Sequence, residues 1–307
     1  MNKKNIKIGT RGSKLALWQS EEVKRSLLEK FPDISVEIII IKTNGDINLS
    51  QSLTDIGNNG FFTKEIESEL LNGKIDLAVH SLKDLPAVIP EGLIINGILP
   101  RGEVRDVLVS GNGKKLKDIT KDDKIATSSL RRQSQLLHYN NNLQIVDIRG
   151  NIDTRLRKLK EGYCDALILA GAGMNRLGYS DLISEYIDPE IIYPAVGQGA
   201  IAIETRDNDQ FIEPFIKAIN DDYSEKITQA ERSFLKEMDG NCRVPMACYI
   251  EKENNHIRIT GVVSGLKGEP YIKKHISCTI EKASQEATNL ARLILKNGGK
   301  EILDQIK

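Results

Sequence analysis

The chain has 307 residues; at roughly 150 residues per domain, two domains are expected and three permitted. Lys plus Arg number 43 and Asp plus Glu 43, so the formal net charge is zero, which argues against nucleic-acid binding through a general basic field. Aromatic residues make up 5%, with one Trp, too few for stacking platforms along single strands.

The segment Met1–Ile8 moves straight into a strand-like pattern, without the apolar core and small-residue cleavage site of a signal peptide. No run of 18 apolar residues follows, so a cytoplasmic protein without membrane association is expected. Asn5–Gly9 reads as a strand. Ser13–Leu28 reads as an amphipathic helix, with Ser13 as N-cap and Leu17, Val23, Leu27 and Leu28 among its apolar positions. The β-branched run Val36–Ile41 predicts a buried parallel strand. Thr63–Asn72 predicts a helix ending at Gly73, and Ile75–His80 another strand. This alternation is the α/β signature.

Two segments echo each other. Lys7-Ile8-Gly9-Thr10-Arg11-Gly12-Ser13 resembles Lys124-Ile125-Ala126-Thr127-Ser128-Ser129, each a strand running into hydroxyl residues and a helix. Gly73–Val79 resembles Gly162–Ile168, each closing a helix and opening a buried strand. Two similar α/β lobes are therefore expected. Arg101–Asp106 reads as the crossover between them and the Gly/Pro-rich Tyr193–Ala200 as the return, a pair of crossings that would make a hinge beside a cleft. From Asp221 the pattern changes: a helix over Ser224–Met238, strands at Met246–Glu251, His256–Val263 and Tyr271–Ile280, and a last helix over Ser284–Leu295. The expected domains are 1–99 with 200–217, then 100–199, then an α+β domain over 218–307.

Arg is the scarcer base, 15 against 28 Lys, yet eight of the 15 fall between Arg101 and Arg176. Arg131 and Arg132 follow Thr127-Ser128-Ser129, Arg149 and Arg155 bracket Gly150-Asn151, and Arg176 follows Gly171-Ala172-Gly173. Each group comes just after a predicted strand, where open α/β sheets hold ligands. Guanidinium forks match carboxylate or phosphate, and helix N-termini add N–H donors and a positive dipole end. A ligand with several anionic groups is expected. The Gly-rich pieces make neither a P-loop nor a dinucleotide fingerprint.

Asp84, in His80-Ser81-Leu82-Lys83-Asp84-Leu85-Pro86, stands at a strand's carboxyl end beside Lys83; it reads equally as a catalytic carboxylate or as half of a loop ion pair. His80 reads as a packed strand-end residue. Four Cys, at 164, 242, 248 and 278, show no C-x-x-C pair, so neither zinc nor a disulfide framework is expected. Three read as small buried hydrophobes. Cys242 differs: it stands in the turn Gly240-Asn241-Cys242-Arg243-Val244-Pro245, where Arg243 favours the thiolate and permits a covalent role.

Six segments together resemble the porphobilinogen deaminase (hydroxymethylbilane synthase) family: Gly9–Gln19, Ala78–Pro86, Thr127–Gln133, Arg149-Gly150-Asn151 with Thr154-Arg155-Leu156, Pro194–Ala200 and Gly240–Pro245. They occur in the family's order and spacing from residue 9 to 245. The resemblance implies two periplasmic-binding-protein-like lobes plus a smaller α+β domain with a three-stranded antiparallel sheet. It implies a monomeric transferase of heme and porphyrin biosynthesis that condenses four porphobilinogen molecules head to tail into hydroxymethylbilane, releasing ammonia each time. A dipyrromethane cofactor would be held by a thioether to Cys242, with Asp84 as the catalytic carboxylate. Lys83, Asp84, Thr127, Ser128, Ser129, Arg131 and Arg132 would bind the cofactor, and Arg11, Ser13, Gln19, Phe62, Arg149, Arg155 and Arg176 the substrate.

Each porphobilinogen brings an acetate and a propionate, which the Arg groups would neutralise; loss of ammonia leaves a cationic azafulvene that a carboxylate would stabilise. The chain departs from the family where Asp55 and Asn59 replace Lys found in many relatives, leaving the loop over 47–62 less basic. Arg243 stands where Gln is common. The competing readings are a two-lobed small-anion binding protein without catalysis, which would normally be exported, and a DNA-binding regulator, which would need a helix-turn-helix that is not found.

Overall fold

The computed structural model describes residues 4–43, 63–239 and 244–306. Contacts divide the chain into two units, Met1–Gly102 with Ala200–Glu225, and Glu103–Gly199 with Lys226–Lys307.

The first unit opens with β1 (Asn5–Thr10) and α1 (Lys14–Lys30). Ser13 caps α1, its hydroxyl accepting the Ala16 N–H at 3.3 Å, as the sequence predicts. β2 (Ser35–Ile40) pairs parallel with β1. Then come α2 (Lys64–Leu71), β3 (Leu77–Ser81), a single 3-10 turn over Leu82–Asp84, and β4 (Leu93–Ile98). The second unit follows with β5 (Asp106–Ser110), β6 (Lys124–Ala126), α3 (Leu130–Tyr139), β7 (Gln144–Val146), α4 (Ile152–Lys160), β8 (Ala166–Ala170), α5 (Gly171–Arg176) and β9 (Glu185–Tyr186). The chain then returns to the first unit as β10 (Ile201–Arg206) and α6 (Glu213–Ile219).

The two five-stranded sheets share one topology, β2-β1-β3-β10-β4 and β7-β6-β8-β5-β9. In each, the first three strands are parallel and the fourth, β10 or β5, is antiparallel to its neighbours. The sequence echo thus marks equivalent strands, and the fastening is repeated too. The Lys7 amide donates to Asp76 Oδ2 at 2.8 Å while the Asp76 amide donates to the Lys7 carbonyl; the Lys124 amide and Asp165 make the same pair, also with 2.8 Å to the carboxylate. One expectation needs correction. β2 is not buried: it is an edge strand, and Ile40 is 56% exposed. A β-branched run reports strand propensity but not which side of a sheet remains open.

α7 (Asp222–Glu237) leads into β11 (Met246–Glu253), β12 (His256–Ser264) and β13 (Tyr271–Cys278), an antiparallel sheet in that order. α8 (Ala283–Ile294) packs on β12 and β13, and α9 (Lys300–Asp304) ends the described chain. The core here gathers Phe234, Ile259, Leu290 and Ile294. Gly261 is needed at its centre, because a Cβ there would lie 2.6 Å from the Phe234 ring. Two α/β lobes and a smaller α+β part with a three-stranded antiparallel sheet are the expected fold class.

Candidate functional site

In the first unit the expected site residues stand at the carboxyl ends of β1 and β3, neighbouring parallel strands. Arg11 and Ser13 follow β1, both half-buried. After β3 the chain turns once, with Leu82 and Leu85 buried and Asp84 exposed between them. The turn is fastened by the Leu82 amide on the Ala200 carbonyl at 3.1 Å and the Leu85 amide on the Leu82 carbonyl at 3.1 Å. The β3 end is braced from α1: Gln19, 2% exposed, donates from Nε2 to Ser81 Oγ at 2.9 Å. Gln19 is therefore a buried brace.

In the second unit the residues gather around β6, β7 and the starts of α3 and α4. The Thr127 amide binds the Val146 carbonyl, and the Ser128 hydroxyl bridges the Ile148 carbonyl and amide, tying the β6 end to the β7 end. Ser129 is the N-cap residue of α3, its amide donating to Thr127 Oγ1 at 3.3 Å. The Arg149–Arg155 segment is a built turn. Gly150 has φ +113°, and a Cβ there would meet Thr154 at 2.7 Å, so the position requires Gly. Asn151 caps α4 through the Thr154 amide at 2.9 Å, which brings Arg155 round so that its Nε donates to the Gly150 carbonyl at 2.8 Å.

Arg131 and Arg132 are buried on the fully buried Asp106. Arg131 Nη2 donates to Asp106 Oδ2 at 2.8 Å and Nη1 to the Tyr193 carbonyl at 2.5 Å. Arg132 donates from Nη2 and Nε to Oδ1 at 2.7 and 3.1 Å and from Nη1 to the Ile168 carbonyl at 3.0 Å. Gln198 Nε2 adds a fourth donor to Asp106 at 2.9 Å. Burial alone would raise the Asp106 carboxyl, but the two guanidiniums overcome it and hold it well below the usual carboxylate range. Arg149 pairs with exposed Asp147 at 3.3 Å. Burial pushes the half-buried Arg155 guanidinium down to about 10, and the positive charges of Arg132 and Arg149 add to that. Among the described residues Arg131 and Arg132 are thus held on Asp106, and Arg149 on Asp147.

Asp106→Asn leaves two buried guanidiniums without a counter-charge and is expected to destabilise the fold by about 3–5 kcal/mol, read from the midpoint of urea unfolding. Because the folded carboxyl titrates below its unfolded value, the wild-type contribution is present above about pH 4 and is lost as pH falls below that. The gap between wild type and variant should therefore close toward acid, and a constant gap would contradict this account.

Arg176 stands at the end of α5, donating from Nη2 to the Gly199 carbonyl at 2.6 Å, next to Gln198 on Asp106. Lys83 is half-buried beside Asp84. Cys242, with its neighbour Arg243, and Phe62, with Asp55 and Asn59, lie outside the described residues. Sequence reasoning missed Asp106, seen there only as part of a crossover, although it follows Arg105 directly at the start of a β-rich stretch. It also gave Gln198 no role, although that residue lies in the Pro194–Ala200 segment. Among the described residues no group of His, Cys, Asp and Glu could hold a metal ion.

A family model described as porphobilinogen deaminase, dipyromethane cofactor binding domain, matches residues 6–214, and one described as porphobilinogen deaminase, C-terminal domain, matches residues 226–296. The porphobilinogen deaminase of Chlorobium phaeobacteroides (strain BS1) is 44% identical over 309 residues, covering 99% of each chain. That of Syntrophomonas wolfei subsp. wolfei is 45% identical over 300 residues, covering 98% of each. Among solved structures, the alkanesulfonate-binding protein SsuA from Xanthomonas axonopodis pv. citri bound to MOPS gives a TM-score of 0.40 at 14% identity, covering 78% of this chain and 76% of that one.

Proposed function

The chain belongs to the porphobilinogen deaminase family, and from that premise we propose that Asp84 is its catalytic carboxylate and Cys242 the thioether anchor of its cofactor. The activity is that of hydroxymethylbilane synthase, a transferase of tetrapyrrole and heme biosynthesis. It condenses four porphobilinogen molecules head to tail into hydroxymethylbilane, with release of ammonia, on a dipyrromethane cofactor. The observation that carries the activity is the match over nearly the whole chain.

The residues present fit a dipyrromethane. Its acetate and propionate arms need cations and N–H donors, which Lys83, Arg131, Arg132 and the start of α3 would supply. When bound, it supplies the terminal pyrrole carbon to which incoming units add. Cys242 as its anchor keeps the acceptor in place between cycles, so each condensation is effectively intramolecular on that side. Arg131 uses two of its five N–H groups internally and Arg132 three, leaving donors for a carboxylate arm. Lys83, Thr127, Ser128 and Ser129 complete the cofactor set. Arg11, Ser13, Gln19, Phe62, Arg149, Arg155 and Arg176 take the substrate carboxylates and rings, Gln19 while also holding the β3 end. Asp84 accepts pyrrole N–H groups and stabilises the cation left when porphobilinogen loses ammonia; it can also carry a proton.

The domain division we favour is 1–99 with 200–217, 100–199 and 218–307; the three-stranded sheet β11-β12-β13, distinct from the two five-stranded sheets, supports the last boundary. We also propose a cytoplasmic monomer that binds neither nucleic acid nor membrane; the zero net charge supports the nucleic-acid part. Among the described residues no helix is long and apolar enough to cross a membrane.

Purified protein given porphobilinogen should release ammonia and form hydroxymethylbilane, and failure to consume it refutes the activity. Arg155→Gln is expected to stall elongation, visible by mass spectrometry as covalent species carrying one or more extra substrate units. Wild-type progression in that variant would contradict the carboxylate-binding role.

A further inference from the structure

The β3–β10 ladder sets His80 opposite Ala202 and Ala78 opposite Glu204, so His80 and Glu204 stand on one face as a diagonal cross-strand pair. His80 Nε2 meets Glu204 Oε2 at 3.0 Å, with the His side chain 5% and the Glu side chain 0% exposed. α2, packed on β1, β3 and β10, brings buried Glu67 to the same region. Glu204 Oε1 and Glu67 Oε1 are buried without a hydrogen-bond partner among the described residues. Burial pushes the Glu67 carboxyl up, and the Glu204 charge adds to it.

This group lies directly behind the Asp84 turn. His80 is the penultimate residue of β3, and the turn begins two residues later. β10 grips β3 at both places: Glu204 holds His80, and Ala200, just before β10, receives the Leu82 amide. We propose that His80 and Glu204, backed by Glu67, are positioning residues that lock the end of β3 to β10 and so fix where Asp84 presents its carboxylate. None of the three needs to touch substrate. A displacement of about 1 Å in a catalytic group costs up to about 100-fold in rate, so a buried, directional polar lock beside the turn has a use that apolar packing would not replace.

This inference rests on Asp84 being the catalytic carboxylate, and wild-type turnover is measured in parallel: if wild type does not consume porphobilinogen, the activity itself fails. The test is Glu204→Gln in the cofactor-loaded enzyme, which keeps shape and removes charge. It should lower kcat by about 10- to 100-fold while KM stays within about two-fold and the melting curve and cofactor mass remain those of wild type. Unchanged kcat, an effect confined to KM, or a loss that merely tracks loss of folded enzyme overturns the proposal. The wild type supplies a second measurement that needs no folded variant. Of four His in the chain, one should show an Nε2–H protected from exchange by nitrogen-labelled NMR, and rapid exchange at all four would remove the lock.

Discussion

Asp84→Asn is expected to lower kcat by at least about 10²–10³-fold, the range for losing one preorganised electrostatic group, while fold and covalent cofactor are retained. The two halves of this expectation have separate reasons. The turn is held by backbone bonds from Leu82 and Leu85 and by burial of those two side chains, none of which involves the Asp84 carboxylate. An exposed, isosteric change should stay within about 0.5 kcal/mol of wild-type stability. The rate, by contrast, depends on a full negative charge facing a cation that exists only after ammonia has left, and an amide offers that cation a dipole instead. Intact mass, melting temperature and initial rates on the same preparation separate the two. Wild-type rates in the variant would take Asp84 out of the mechanism, and with it the role given to His80 and Glu204.

Cys242→Ser should lose both the covalent mass and the turnover. Wild-type protein is expected to weigh two pyrrole units more than its sequence, and the variant no more than its sequence. The other thiols are poor alternatives. Cys164, Cys248 and Cys278 are all buried, and burial lifts the Cys164 thiol to about 11 and raises Cys278 as well. The thiolate is the reactive form, so Cys164 and Cys278 are disfavoured by both access and ionisation, and Cys248 by access. An adduct surviving in Cys242→Ser would move the anchor to one of them, and an unmodified, active wild type would remove the covalent cofactor.

Local signals carried much of the fold. The hydroxyl at Ser13 announced a helix start, and the paired echoes at Lys7 and Lys124 and at Gly73 and Gly162 marked equivalent strands in two sheets. The strands at Met246, His256 and Tyr271 were readable from composition and spacing. What escaped was long-range. Nothing near Val36 says that its strand lies at an edge, because that depends on which strands pair with β1. The Arg cluster was legible as chemistry, but its counter-charge was not: Asp106 is 25 positions from Arg131. His80 and Glu204 are 124 positions apart and meet only because β10 returns beside β3. Polar pairs of this kind leave no periodic trace, since each partner is a single residue among apolar neighbours.

The return of β10 also sets the order in which the molecule can be completed as it leaves the ribosome. β10 lies between β3 and β4, and β4 has no other strand partner among the described residues. Until residue 206 has been made, the first sheet lacks its fourth strand, and β3 and β4 present unpaired backbone edges, the usual template for wrong pairing. The second sheet needs nothing beyond β9, at residue 186. Synthesis normally favours the N-terminal part of a chain; here, of the two five-stranded sheets, the one begun first is closed second, and a nascent chain halted at Gly199 has made every strand of the second and not of the first.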